Sequence, residues 1–329
     1  MNDLVLPNAT VLLGDCVERM RGLPAGSAQM CVTSPPYFGL RDYGVDGQLG
    51  LEKTPEQYVA NMVEVFRHVR DVLSDDGTLW LNIGDSYAST STYNAPRTSK
   101  GESGRVEAPR QPNVGIPPGC KAKDLIGIPW MLAFALRADG WYLRQDIIWH
   151  KPNPMPESVR DRCTKAHEYV FLMSKSERYF FDNKAMQEPA IYAPGKTTEV
   201  ERPKGYYGGK WKDPSDGSRN DGSFKAIRET RYRRSVWTVA TRPYKGAHFA
   251  TFPPALIEPC ILAGSRPGDV VLDPFNGSGT TGQVALQHGR EYLGIELNPE
   301  YVKLTRKRLE AAIASNADEP QTELDLAAS

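Results

Sequence analysis

The segment Thr33-Ser34-Pro35-Pro36-Tyr37 sets a hydroxyl, a carbonyl and an aromatic ring side by side on a short stretch of chain. It continues the apolar run Gln29–Thr33, which reads as a buried strand. Two consecutive prolines fix φ twice and remove two N–H donors, so the turn is stiff. It stands at the C-terminal end of a strand, where ligands gather in α/β sheets. The set suits the amino group of a nucleobase, whose lone pair is delocalised into the ring and attacks poorly. Two acceptors that hold its N–H groups, the Ser34 hydroxyl and the Pro35 carbonyl, favour a pyramidal nitrogen able to attack a methyl group. Tyr37 can stack on a base extruded from its helix. A Pro-Pro turn can equally end a strand and do nothing more, and the segment alone leaves both readings open.

A second unit lies near the C-terminus. The turn Pro267-Gly268-Asp269 leads into the strand Val270–Asp273, which breaks at Pro274-Phe275-Asn276. Gly277-Ser278-Gly279-Thr280-Thr281-Gly282 follows and opens a helix, and Glu296 ends the next strand, 19 positions after Gly277. Glycines at such a turn let the backbone approach a ligand closely. A carboxylate at the end of the following strand can accept hydrogen bonds from a ribose diol. The G-x-G-x-x-G spacing also fits a dinucleotide oxidoreductase. Against that reading, Asp273 at the strand tip would repel a pyrophosphate, and only one βαβ unit fits in the remaining chain. S-adenosylmethionine carries a ribose, an amino-acid moiety and a cationic sulfonium but no phosphate, so Asp273 and Glu296 suit it better.

These loops need a sheet to hold them. Short apolar runs alternate with helical patterns along the 329 residues, and the order argues for an α/β sheet with parallel strands. Strands are expected at 10–13, 29–33, 78–83, 143–149, 169–174, 270–273 and 292–296. Helices are expected at 55–73, 129–138, 253–263, 280–288 and 299–314, several opening with Pro or Thr as a first turn favours. The chain is 40% hydrophobic, enough for one large core with a smaller appended region. Five scattered cysteines with no CxxC speak against a disulfide framework or a zinc site and fit a reducing compartment. No apolar run approaches the roughly 18 residues of a membrane span, and no secretory leader is recognisable, so a cytoplasmic protein is expected.

Two stretches break the pattern, 86–123 and 184–235, both rich in turn-forming residues. Lys and Arg balance Asp and Glu over the whole chain at 40 each. The first stretch has 6 basic and 2 acidic residues and the second 12 and 7, so an acidic body carries two basic loops. Tyr206, Tyr207, Trp211, Phe224 and Tyr232 interleave with the second basic set, a mixture suited to phosphate contact and base stacking. A solvated, disordered insertion has the same composition.

Taken together the residues resemble a known family, the S-adenosylmethionine-dependent DNA amino-methyltransferases of restriction–modification type, which act on N4 of cytosine or N6 of adenine. The matching pieces are Thr33–Tyr37, Asp273–Thr281 and Gly294–Tyr301, with Leu13–Cys16, Asp146–Pro154 and His248–Pro253 beside them. The resemblance covers most of residues 9–185 and 236–312. The catalytic loop precedes the cofactor loop, as in the circularly permuted β group. The resemblance implies a Rossmann-like methyltransferase sheet, mostly parallel, with helices on both faces and an irregular target-recognition insertion. The catalytic domain would comprise 1–183 and 236–315, with a flexible basic loop at 86–123. Residues 184–235 would recognise the target, and 316–329 would form a disordered tail.

The resemblance also assigns roles. Ser34, Pro35, Pro36 and Tyr37 would be catalytic. Asp15 would contact the cofactor adenine and Glu296 the ribose. Asp273, Phe275, Asn276, Gly277, Ser278, Gly279, Thr280 and Thr281 would surround the methionine part, with Cys16 and Thr33 at the same site. His248 and Phe252 fall in the motif that closes the cofactor pocket. Serine rather than aspartate at the head of the catalytic loop resembles the cytosine-N4 members, with adenine N6 the alternative. The implied partner is double-stranded DNA. A homodimer is compatible with the chain, as is an unlinked restriction endonuclease that makes no physical contact with it.

Positive charge at Lys151, Arg160 and Arg162 is expected to line the DNA cleft, with Lys210, Arg231, Arg233 and Arg234 contributing from the second basic stretch. Three rivals weaken on the residues. A cytosine-C5 enzyme needs a thiolate nucleophile, and Pro259-Cys260 lies in the apolar helical stretch Leu256–Leu262. A metal-dependent nuclease would have to use Asp75-Asp76, which with Gly77 reads as an ordinary turn, and methyl transfer from a sulfonium needs no metal. A non-enzymatic DNA-binding module explains the basic loops but not the two paired motifs.

Overall fold

The computed structural model describes residues 2–88, 115–190, 197–199, 223–225, 229–241 and 252–318. His248, Lys210 and the middle of the 86–123 stretch lie outside the described residues. Two compact units emerge, 1–182 with 235–329, and Asn183–Arg234 between them in sequence.

The larger unit is built on a nine-stranded sheet. In chain order its strands are β1 (Leu4–Leu6), β2 (Ala9–Leu13), β3 (Ala28–Thr33), β4 (Leu73–Ile83), β5 (Tyr142–His150), β6 (His167–Ser174), β11 (Val236–Thr238), β12 (Val270–Asp273) and β13 (Glu291–Glu296). The spatial order is β1-β2-β13-β12-β3-β4-β6-β5-β11. Its helices are α1 (Cys16–Arg21), α2 (Pro55–Val72), α3 (Ile128–Ala138), α4 (Pro254–Gly264), α5 (Thr280–Gln287) and α6 (Pro299–Asp318). The smaller unit contributes two antiparallel pairs, β7 (Gln187–Pro189) with β10 (Thr230–Tyr232) and β8 (Thr197–Glu199) with β9 (Ser223–Lys225).

Five of the eight neighbour pairs in the large sheet are parallel and three antiparallel. The departures have a physical cause. A parallel return needs a crossover, usually a helix, whereas β5 and β6 are joined without one among 151–166, and β6 therefore runs antiparallel to both β4 and β5. At the other edge β1 and β2 form a tight antiparallel pair, Leu6 facing Ala9.

Side-chain alternation puts helices on both faces. Cys31, Leu79, Leu81, Phe171 and Met173 join Met20 of α1, Tyr58, Met62 and Phe66 of α2 and Leu132 and Leu136 of α3 in one buried cluster. On the opposite face, the C-terminal glycine of α4, Gly264, leaves room for no side chain, because Met30, Thr78 and Trp80 already fill that space. Thr54 caps α2 by accepting the Gln57 N–H, and Pro55 opens its first turn.

Two expectations change, and the 86–123 stretch is left as expected with its ends anchored. Asp75-Asp76-Gly77 is not a turn between elements but part of β4, where the register with β3 slips so that Leu73 faces Ala28 while Thr78 faces Met30. The ends of the basic 86–123 stretch are tied together, Ala88 donating to the Asp124 carbonyl and Lys123 to that of Ala88. Helix α6 runs on to Asp318, past Ala314 and into the segment expected to be a disordered tail.

Candidate active site

Four parallel neighbours, β2, β13, β12 and β3, end at one edge of the sheet. Leu13 stands opposite Glu296, and the Gly14 N–H donates to the Glu296 carbonyl at 2.9 Å. This edge therefore gathers the chain around Asp15, Glu296, Asp273 and Thr33, residues up to 281 positions apart in sequence. Helix α4 leads down into β12, so Phe252 and Pro253 at its start lie at the same edge.

Asp273 is buried, 2% exposed, and holds two loops at once. Its Oδ1 accepts the Thr33 hydroxyl at 2.7 Å and the Phe275 N–H at 3.0 Å, and its Oδ2 accepts the Thr281 hydroxyl at 2.7 Å. Burial pushes its carboxyl up to about 6 against the pull of these three donors. The sequence suggested a carboxylate aimed at a cationic ligand. In the structure both oxygens are engaged by the protein's own donors, and Asp273 ties the end of the proline-loop strand to the glycine loop.

The glycine loop is anchored from behind. Asn276 donates to the Gly277 carbonyl at 2.9 Å and to Thr305 Oγ1 at 2.8 Å, and accepts the Tyr292 hydroxyl at 2.9 Å. Arg308 of α6 donates to the hydroxyls of Ser278, at 3.0 Å, and of Thr280. The side chains of Asn276, Ser278 and Thr280 are thus spent inside the protein, and Gly277 is the partly exposed residue of the loop. Gly277 sits at φ +54°, and among the described residues the Phe275 carbonyl, at 3.8 Å, is what comes near the place where its Cβ would stand. Its N–H donates to Glu296 Oε2 at 2.7 Å, and the Asn298 N–H to Oε1 at 2.8 Å. Glu296 is 8% exposed, and burial pushes its carboxyl up to about 8.

The proline loop is fixed with equal care. The Tyr58 hydroxyl donates to the Pro36 carbonyl at 2.9 Å, and the Leu40 N–H to that of Tyr37 at 3.3 Å. The Pro35 carbonyl meets no donor among the described residues. The Tyr37 hydroxyl turns into the sheet and donates to Glu168 Oε2 at 2.8 Å. Burial first, and Glu168 second, hold that phenol well above its ordinary range. Gly84 lets the ring lie close, since a Cβ there would fall 2.6 Å from Tyr37 Cε2. Sequence reasoning missed Asn82, Gly84 and Glu168. A lone carboxylate heading the apolar strand Glu168–Met173 was the available signal.

The DNA methylase family model matches residues 28–307. This chain belongs to the N6/N4 DNA methylase family. It is 49% identical over 308 residues to the type II methyltransferase M.Cfr9I of Citrobacter freundii, covering 93% of this chain and 89% of that one. It is 47% identical over 304 residues to M.SmaI of Serratia marcescens, covering 92% and 91%. Among solved structures, the PvuII cytosine-N4-specific DNA methyltransferase superposes with a TM-score of 0.61 at 20% identity, over 94% of this chain and 90% of that one. A Thermus thermophilus protein solved with S-adenosyl-L-methionine superposes with a TM-score of 0.56 at 21% identity, over 92% and 93%. At such identities these two demonstrate the shared fold. The methyl donor of the family is S-adenosylmethionine.

Other expected residues of this DNA methylase divide in two groups. Asp15 caps α1, accepting the Glu18 N–H at 2.9 Å, and Cys16 behind it is buried, its thiol pushed up to about 12 by that burial and by Asp15. Cys260 is buried in α4 with its sulfur 3.6 Å from the Leu256 carbonyl, so it is no exposed nucleophile. Lys151 was expected to face DNA but is ion-paired with Glu168, with 18% of its side chain exposed and its ammonium 4.3 Å from the centre of the Trp149 ring. Arg162 pairs with Glu157 and stacks 3.8 Å over Tyr87. Arg160 between them in sequence is exposed. In the smaller unit Arg231 pairs with Glu188 at 2.9 Å, Arg234 lies 3.7 Å from the same carboxylate, and Tyr232 is exposed.

Proposed function

We propose that the chain is a site-specific DNA methyltransferase that modifies N4 of cytosine in an extruded base, with the Ser34–Tyr37 loop as the clamp for the amine. The single observation that carries the reading is the Asp273 clamp, which fixes Thr33, and with it this loop, against the glycine loop. A methyl donor on one loop and an acceptor amine on the other would then be held in a fixed relation, and such positioning is a large part of any bimolecular rate enhancement.

The residues fit S-adenosylmethionine. Among the described residues no side chain stands against Gly277, which suits a ligand lying on the backbone, and Glu296 has an acceptor position beyond those that take the Gly277, Asn298 and Leu297 N–H groups. We assign Glu296 to the ribose, Asp15 to the adenine, and Phe275 with the Gly277–Thr281 backbone to the methionine part; Phe252 and His248 would close the pocket. When bound, the cofactor supplies an electrophilic methyl group on a cationic sulfur. Ser34 and the Pro35 carbonyl accept the two N–H groups of the amine, and Tyr37 covers the base. Serine at the head of the loop favours cytosine.

Residues 184–235 would recognise the target, with Arg231, Arg233, Arg234 and Lys210 supplying phosphate contacts. In the larger unit, Arg160, exposed on the loop after β5, is assigned a phosphate contact of its own. Arg160→Glu is expected to weaken DNA binding about tenfold at low salt, because one favourable phosphate contact becomes a repulsion, and to leave cofactor affinity unchanged; unaltered DNA affinity would remove Arg160 from the interface. Single-molecule sequencing of DNA from cells expressing the chain tests the central reading. N4-methylcytosine at one recurring sequence is expected, whereas N6-methyladenine would overturn the choice of base.

A further inference from the structure

A chain of polar side chains runs from the proline loop into the sheet. Lys151 at the end of β5 donates to Glu168 Oε1 on β6, and their side chains are 18% and 17% exposed. Glu168 Oε2 accepts the Tyr37 hydroxyl at 2.8 Å. Asn82 at the end of β4 donates from Nδ2 to the Tyr169 carbonyl at 3.1 Å and to Glu168 Oε2 at 3.3 Å, which leaves its Oδ1 3.3 Å from the Tyr37 oxygen. The Ser34 hydroxyl completes the chain, reaching the Tyr37 oxygen at 3.4 Å.

The direction of every proton in this chain follows from its members. An ion-paired carboxylate only accepts. The Asn82 amide is oriented by the Tyr169 carbonyl, so it too presents an acceptor to Tyr37. A phenol has one proton, and with acceptors on its inner side that proton points inward. The Tyr37 oxygen is then left to accept from Ser34. A Ser34 proton turned toward Tyr37 leaves the lone pairs of its oxygen as acceptors.

From this geometry we infer that Glu168 is a positioning residue, which acts through Tyr37 to make Ser34 a hydrogen-bond acceptor and so selects a base that presents an amine rather than a carbonyl at that place. The inference rests on the reading of Ser34–Tyr37 as the amine clamp and adds what sets the clamp's polarity. Lys151 is the anchor of the chain: it occupies Oε1 and leaves Oε2 for Tyr37.

Glu168→Gln keeps size and shape but reverses the polarity. Lys151 keeps the amide oxygen, the amide nitrogen donates to Tyr37, and the Tyr37 proton is shared between the longer contact to Asn82 Oδ1, at 3.3 Å, and Ser34, so the polarity of Ser34 is no longer fixed. The expected result is a fall in kcat of about 10- to 100-fold, comparable with losing one preorganised hydrogen bond at a reacting centre. Cofactor affinity and KM for DNA should stay within about twofold, since neither ligand contact is removed. In a Tyr37→Phe background, where the chain is already cut, Glu168→Gln should add less than about twofold. Wild-type kcat in Glu168→Gln, or losses that multiply in the double variant, would overturn the inference. Should Glu168→Gln fail to bind cofactor because it does not fold, Tyr37→Phe decides alone, since it keeps the ring and removes only the hydroxyl: unchanged kcat refutes the chain, and a fall of about tenfold or more supports it. A wild-type protein that binds S-adenosylmethionine yet methylates no DNA in the same assay strikes the proposed function itself, not this residue alone.

Discussion

Asp273→Ala is expected to eliminate cofactor binding and methyl transfer together. The substitution leaves the Thr33 hydroxyl and the Phe275 N–H without their acceptor and the Thr281 hydroxyl with only the Val32 carbonyl at 3.4 Å, around a carboxylate that is 2% exposed. Each buried donor left unpaired costs about 1–3 kcal/mol, so the site loses roughly 3 kcal/mol or more. Part of that cost appears as lower stability, and the rest as freedom of the glycine loop relative to β3. Each portion of about 1.4 kcal/mol that falls on binding weakens the dissociation constant tenfold. Asp273→Asn separates the two contributions. Its oxygen can still accept from Thr33 and Phe275, and its nitrogen can donate to the Thr281 oxygen, so most of the fold is restored while the charge is lost. Titration calorimetry with S-adenosylmethionine and thermal unfolding of the three proteins give the comparison. If Asp273→Ala binds cofactor like the wild type, the clamp is not what registers the two loops.

The two loops were legible in sequence because proline and glycine report directly on backbone shape. Pro35-Pro36 permits few conformations, while Gly277 and Gly279 permit the positive φ that other residues rarely adopt, and the structure has both segments as turns at strand ends. The long elements were equally plain: α2 and α6 carry enough helical turns, and β3, β12 and β13 enough consecutive apolar residues, for their periodicity to stand out. The three residues of β1 and the six of α1, CVERMR, offer neither a sustained apolar run nor enough turns for a period. What sequence could not supply was pairing across distance. Lys151 looks like a free cation until β6 returns antiparallel beside β5 and brings Glu168 to it, and the same return places Glu168 under Tyr37, 131 positions away. Asp273 looks like a ligand for a cation until β12 is seen beside β3, with Thr33 supplying a donor.

Cofactor affinity is expected to fall about tenfold for each pH unit below about 8, because of Glu296. Burial lifts this carboxyl from its ordinary value of 4.5 to about 8 in the free protein, despite the Gly277 and Asn298 N–H groups that favour its charged form. Near neutral pH the free protein therefore holds a proton there. Ribose hydroxyls donating to the carboxylate, with a cationic sulfur nearby, would favour the charged form and draw the value back down, so binding releases a proton. A shift of one unit corresponds to about 1.36 kcal/mol, and hence to a factor of ten in affinity per pH unit. The stability of the free protein has the opposite sign. A carboxyl raised by folding contributes fully below its unfolded value of 4.5, and that contribution is lost as pH rises through about 8. Rising pH thus loosens the empty protein while tightening its grip on the cofactor. Calorimetry in two buffers of different ionisation enthalpy counts the proton directly, with close to one expected near about pH 7. Glu296→Gln, which cannot ionise, should bind more weakly above about pH 8 and show no slope below it. A wild-type affinity that is flat from about pH 6 to 9, or binding without proton release, would place the ribose contact elsewhere than on Glu296.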